Sequence, residues 1–171
     1  GGSTDLGRLA AAVEWVRRTD PDALLLVIAT DDPIGDPDGL RDAVLDGIAV
    51  AESGGLVVFG VNPGYSRSDL GWVRQGPVIE GRAPARQLAG HMDAHRADTS
   101  LDAREGWLWN SGIMLMSTKT ASARTSHALP PVTWAGMVER DRPGAVVELA
   151  GGGGGESTPR MVLPEVLLRD A

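Results

Sequence analysis

The chain has 171 residues, enough for one domain with a buried core and too few for two comfortable ones. Its formal net charge of −7 and isoelectric point near 4.9 argue against a groove for nucleic acid or an anionic membrane surface, because both need clustered Lys and Arg. It contains no cysteine, which excludes disulfide frameworks, thiolate metal sites and cysteine nucleophiles, and no apolar run of about 20 residues that could span a bilayer as a helix.

Gly1, Gly2 and Ser3 read as a cloning scar or a disordered end, and one domain is expected over residues 4–171. Leu6, Leu9, Ala10, Val13 and Val16 recur at helical spacing, and Arg17 and Arg18 stand where cations favour a helix C-terminus. After the turn at residues 19–22, residues 23–29 form a short unbroken apolar run. Its length suits a strand buried on both faces. It stops at Thr30-Asp31-Asp32. Asp36 before Pro37 is an N-cap with proline at the first helical position, and Leu40, Val44, Leu45 and Ile48 mark one face until Gly54-Gly55 ends the helix. Residues 56–61 read as the next buried strand. Helix, strand, helix, strand with short connections predicts a Rossmann-like α/β/α fold with a mostly parallel sheet.

Past Pro63 the pattern is less regular. Gly71-Trp72-Val73, residues 112–116 and residues 145–149 are strand candidates, and residues 84–98 read as a helix. On that helix His91 and His95 would share one face at the spacing of a metal pair. No third ligand is spaced to join them, so a solvated face is the plainer reading. Ser111 lacks the G-x-S-x-G elbow of a serine nucleophile and is at most a binding residue. Met114 and Met116 are expected in the sheet interior, and Trp109 in the core rather than in a sugar pocket. The five glycines at 151–155 predict a flexible segment over residues 151–158. The tail at 161–168 is apolar enough to dock on the body.

Residues 22–34, ending Ala29-Thr30-Asp31-Asp32-Pro33-Ile34, resemble the strand that closes on P-A-D-H in the mannose-1-phosphate guanylyltransferases, a family of sugar nucleotidyltransferases. Residues 51–63 are similar to its A-x-x-G-x-L-V-T-F-G-I-x-P. Gly71-Trp72-Val73 falls at its G-Y-G-Y-I, and Trp109-Asn110-Ser111-Gly112-Ile113-Met114-Leu115 resembles W-N-S-G-M-F-L. Residues 137–140 followed by 145–147 look like its A-V-M-E-K block and the strand after it. The resemblance implies transfer of a nucleotidyl group from a nucleoside triphosphate to a sugar-1-phosphate, releasing pyrophosphate with magnesium as cofactor. It implies Asp31 as a magnesium ligand, and Gly71, Asn110, Ser111 and Gly112 as the residues that approach the sugar.

The fold is expected to be incomplete relative to the family, since no G-G-x-G-T-R-L phosphate loop occurs in the chain. Asp32 stands for the usual His, residues 67–70 replace E-T-G-Y, and the F-x-E-K-P block is reduced to Gly81-Arg82-Ala83-Pro84. The place of the second magnesium Asp is taken by the glycine run and Glu156-Ser157. These departures favour a relative that binds a nucleotide-sugar or sugar-1-phosphate, inactive alone or dependent on a partner. That partner would be a second copy or an active nucleotidyltransferase. The alternatives are an active shortened enzyme using magnesium on Asp31, and a purely structural or regulatory subunit. No catalytic residue is assigned. With no cysteine and no membrane-spanning run, a cytoplasmic location is the expectation.

Overall fold

The computed structural model of the chain describes residues 2–28, 35–62, 71–92, 105–126 and 144–149. Asp31 and Asp32, residues 67–70, His95, residues 137–140, the glycine run with Glu156 and Ser157, and residues 161–168 lie outside them.

Alternation along two strands decides the layering. In β2 (Leu56–Val61) and β5 (Trp107–Ser117), Leu56, Val58, Met114 and Met116 point to one face, and Val57, Phe59, Ile113 and Leu115 to the other. Both sets are buried, as the period of two requires of a sheet covered on both sides. The first set packs with Val13 of α1 (Gly2–Thr19) and Ala121 of α3 (Thr118–Ser126). The second packs with Leu40, Ala43, Val50 and Ala51 of α2 (Pro37–Glu52). The three layers expected from the sequence are therefore present, and Met114 and Met116 are in the interior as predicted.

The ends of α2 follow local chemistry. Asp36 accepts the Gly39 N–H at 2.9 Å, with Pro37 in the first turn. At the other end Gly54 takes a left-handed φ of 89°, and the N–H groups of Gly54 and Gly55 reach the carbonyls of Ala51 and Val50. That is the reciprocal pair of a glycine-terminated helix. Leu45, expected on the buried face, is 59% exposed, whereas Val44 and Ile48 pack against the core. In α1 the two terminal arginines turn back on Glu14, with Arg17 Nε at 2.9 Å and Arg18 Nε at 3.0 Å from its carboxylate.

The sheet itself departs from the sequence expectation. Among the described residues its order is β1-β5-β2-β6-β4-β3, with β1 at Leu24–Val27, β3 at Trp72–Val78, β4 at Arg86–Met92 and β6 at Gly144–Leu149. Strands β1 and β2 run in the same direction, as the intervening helix suggests, but β5 lies between them and is antiparallel to both. Only β2–β6 is parallel among the described pairings, so the sheet is mostly antiparallel. Strand β1 is half-buried rather than buried on both faces: β5 is its one described sheet partner, and Leu26 is 40% exposed.

Residues 86–92 form a strand and not the start of a helix. The hairpin with β3 explains it, since Trp72 pairs with Met92 and Val73 with His91, while Arg86 and Gln87 also pair with β6. Backbone groups satisfied on both edges override a weak helical pattern. His91 therefore sits on a strand, and His95 lies outside the described residues.

Hydroxyls fasten the lower end of the sheet, where β5 passes into α3. Ser117 caps α3 by accepting the Thr120 N–H at 3.2 Å. The buried Thr118 donates to the Pro21 carbonyl at 2.6 Å, and the buried Thr120 donates to the Gly54 carbonyl at 3.1 Å. The turns that feed β1 and β2 are thus tied to one helix start.

Candidate functional site: a bulge in β5 facing Gly71

The register of β2 against β5 breaks at one place. Val57 and Val58 pair with Leu115 and Met114, but Gly60 and Val61 pair with Asn110 and Trp109. One residue of β2, Phe59, is therefore opposed by three of β5, namely Ser111, Gly112 and Ile113. An insertion of this kind bends the strand and re-aims its side chains, and bulges concentrate beside functional sites.

The sequence explains why the bulge forms here. Gly112 adopts φ 75°, a conformation open to glycine and costly for residues with a Cβ. Asn110 Oδ1 accepts the Gly112 N–H at 3.1 Å. Ser111 Oγ donates to the Phe59 carbonyl at 2.7 Å and accepts the Ile113 N–H at 3.2 Å. Short polar side chains thus satisfy backbone groups that the interrupted ladder leaves over.

Across the strand the Asn110 N–H donates to the Gly71 carbonyl at 3.0 Å, and Gly71 has φ 82°. From there β3 pairs with β5 through Trp72–Trp109 and Arg74–Trp107. The fold therefore brings Gly71, Asn110, Ser111 and Gly112, far apart in the chain at their ends, into one hydrogen-bonded unit. Asn110 is 1% exposed, while Ser111 and Gly112 are half-buried and form the outward part of the unit. Asp31, the remaining predicted site residue, lies outside the described residues; β1, which precedes it, ends with Val27 opposite Met114. Among the described residues no group of three or more His, Cys, Asp or Glu lies together.

The described bulge is made of neutral groups: a carboxamide, a hydroxyl, glycine backbone and peptide carbonyls. Such groups can both donate to and accept from a ligand's hydroxyls, and include no carboxylate, imidazole or amine to act as general base. Ser111 Oγ is engaged by two backbone groups, in keeping with its reading as something other than a nucleophile. The perturbed titrations lie elsewhere. Hydrogen bonds from Arg17 and then Arg18 pull the Glu14 carboxyl down to about 2, and Asp22 raises the Lys119 ammonium.

Sequence reasoning missed several contributors. Gly60 faces Asn110 and leaves no space for a side chain, because a Cβ there would meet Leu108. Met92 returns along the hairpin to pair with Trp72, next to Gly71. The Gly81-Arg82-Ala83-Pro84 stretch occupies the turn at the opposite end of that hairpin, with Ile79 N–H bonded to the Ala85 carbonyl. Trp109 is half-buried, and Trp107, also half-buried, carries the Arg74 guanidinium 5.9 Å from its ring centre. The glycines at 71 and 112 were the legible signal; which residues oppose the bulge is a property of pairing.

No family model matches the chain. It is 34% identical over 111 residues to the mannose-1-phosphate guanylyltransferase ManC of Salmonella typhimurium, and 33% identical over 111 residues to the mannose-1-phosphate guanylyltransferase of Escherichia coli K12. Each of these matches takes in 63% of this chain and 23% of the relative. With RfbM of Salmonella typhimurium, also a mannose-1-phosphate guanylyltransferase, identity is 29% over 126 residues, covering 72% of this chain and 26% of that protein. The match thus spans about a quarter of the length of these curated relatives. Among solved structures, the mannose-1-phosphate geranyltransferase of Thermus thermophilus superposes with a TM-score of 0.65 at 20% identity, over 82% of this chain and 49% of that one. The mannose-6-phosphate isomerase of Helicobacter pylori gives 0.60 at 16% identity, over 82% and 67%.

Three layers around a mixed sheet, superposable on these structures, define an α/β fold. The sequence matches, each over about a quarter of the relative's length, make the chain similar to mannose-1-phosphate guanylyltransferases.

Proposed function

We propose that this chain is a mannose-1-phosphate guanylyltransferase-like unit that binds a nucleotide-sugar or sugar-1-phosphate at the β5 bulge and does not turn over substrate alone. The supporting observation is the hydrogen-bonded unit of Gly71, Asn110, Ser111 and Gly112, whose neutral donors, acceptors and side-chain-free backbone suit a hydroxylated ring approaching closely. Turnover needs groups that take up charge on the leaving pyrophosphate. No G-G-x-G-T-R-L loop occurs in the 171 residues. Outside these residues, a further stretch of the same protein, a second copy or an active nucleotidyltransferase would supply those groups.

A thermal-shift series with GDP-mannose tests the binding half. At a ligand concentration of 100 Kd the folded state gains about 2.7 kcal/mol, which for a chain of this size raises Tm by on the order of 5–10 °C. No shift at millimolar ligand sinks the reading. The second half is tested by incubating the chain with magnesium, guanosine triphosphate and mannose-1-phosphate, where no pyrophosphate release above background is expected. Release abolished by Asp31→Ala would establish instead a shortened active enzyme with magnesium on Asp31.

A further inference from the structure

A bulge with two excess residues is held by whatever partners its stranded backbone groups find. Here one atom serves two of them. Ser111 Oγ lies 2.7 Å from the Phe59 carbonyl, to which it donates, and 3.2 Å from the Ile113 nitrogen, from which it accepts. Phe59 is fully buried and Ile113 nearly so, so water is a poor substitute. A hydroxyl one carbon from the backbone can donate and accept at once over this span; a methyl does neither. Beside it the Asn110 Oδ1 to Gly112 N–H bond and the Asn110 N–H to Gly71 carbonyl bond join the bulge to β3. Gly112 lies between Ser111 and Ile113, the two ends of the clamp. Gly112, with its left-handed φ of 75°, is spanned by the contact from the Ile113 N–H to the Ser111 hydroxyl.

We propose that Ser111 is a positioning residue: its hydroxyl clamps the bulge, and ligand affinity at the Asn110–Gly112 and Gly71 surface depends on that clamp although the hydroxyl itself does not touch the ligand. The proposal rests on the nucleotide-sugar reading above and gives Ser111 a different task from contact with the sugar. Removal of the hydroxyl leaves the Phe59 carbonyl and the Ile113 N–H to separate, which frees Gly112 to leave its glycine-only conformation and blurs the binding surface.

The test compares wild type, Ser111→Ala and Ser111→Thr by two measurements on the full chain. The first is amide hydrogen exchange at Gly112 and Ile113 without ligand, referenced to Val58 in the regular part of the ladder. The second is the Kd for GDP-mannose, measured by calorimetry well below every variant's Tm. Expected for Ser111→Ala is faster exchange at Ile113 and a Kd raised about fivefold or more, the effect of one lost hydrogen bond; Ser111→Thr, which keeps the oxygen, stays near wild type in both. A role in stability alone would lower Tm and leave Kd unchanged. Unchanged protection of Ile113 in Ser111→Ala overturns the clamp, and lost protection with an unchanged Kd overturns its link to binding. Should Ser111→Ala fail to fold, Ser111→Cys, with its longer and weaker donor, takes its place, and a wild-type Kd there overturns the proposal. Wild type that binds no GDP-mannose overturns the functional reading and the binding half together, while the exchange data decide the clamp separately.

Discussion

Gly60→Ala adds one methyl where the structure has no place for it. The glycine is not in the left-handed region, so the argument concerns space and not backbone freedom. A Cβ would stand 2.6 Å from Leu108 Cδ1 and 2.7 Å from Leu108 Cβ, where carbons pack at about 3.5–4.0 Å. The Cδ1 can rotate away. The Cβ cannot, because it is carried by the β5 backbone, so the two strands must part by about 1 Å just beyond the bulge to restore carbon–carbon contact distance. Overpacking of this kind costs about 1–3 kcal/mol, and the stiffer unfolded chain returns only about 0.4–1 kcal/mol. A net loss of about 1–2 kcal/mol lowers Tm by roughly 2–8 °C for a chain of this size. Urea and thermal unfolding followed by circular dichroism measure it, with Gly35→Ala as a control, since nothing lies within 4 Å of a Cβ there. In a Leu108→Ala background, which keeps the Cβ, most of the loss should remain and the coupling term should be small. A Gly60→Ala chain as stable as wild type, or a loss abolished in the Leu108→Ala background, would refute the reasoning.

Thr118→Val keeps the shape of a buried side chain but removes the donor to the Pro21 carbonyl, and should destabilise by about 1–2 kcal/mol in the same unfolding assays; an unchanged urea midpoint would show that the bond adds nothing. Glu14, held near 2 against its ordinary 4.5, first by Arg17 and then by Arg18, favours the folded state above about 4.5 and loses that contribution as pH falls through about 2. Its carboxylate is exposed, so the readout is its own titration by carbon-13 NMR. A midpoint well below 4.5 that returns toward 4.5 in Arg17→Ala is expected, and a midpoint near 4.5 in wild type would contradict the pairing.

The sequence by itself determined the local elements wherever chemistry and periodicity act within a few residues. Asp36 with Pro37 started α2, Gly54-Gly55 stopped it, and the apolar runs at residues 56–61 and 112–116 marked strands that the structure buries. The W-N-S-G match marked the segment that bulges. Tertiary structure decided what depends on partners distant in the chain. The insertion of β5 between β1 and β2 turned an expected parallel sheet into a mostly antiparallel one. Residues 86–92 became a strand because β3 and β6 supply backbone partners that a helix would have provided internally. The same reason governs the site: Asn110 and Gly71 each carry a glycine-compatible or polar signature in sequence, but the bond between them, and the carbonyl of Phe59 that receives Ser111, exist only once the register of the strands is set.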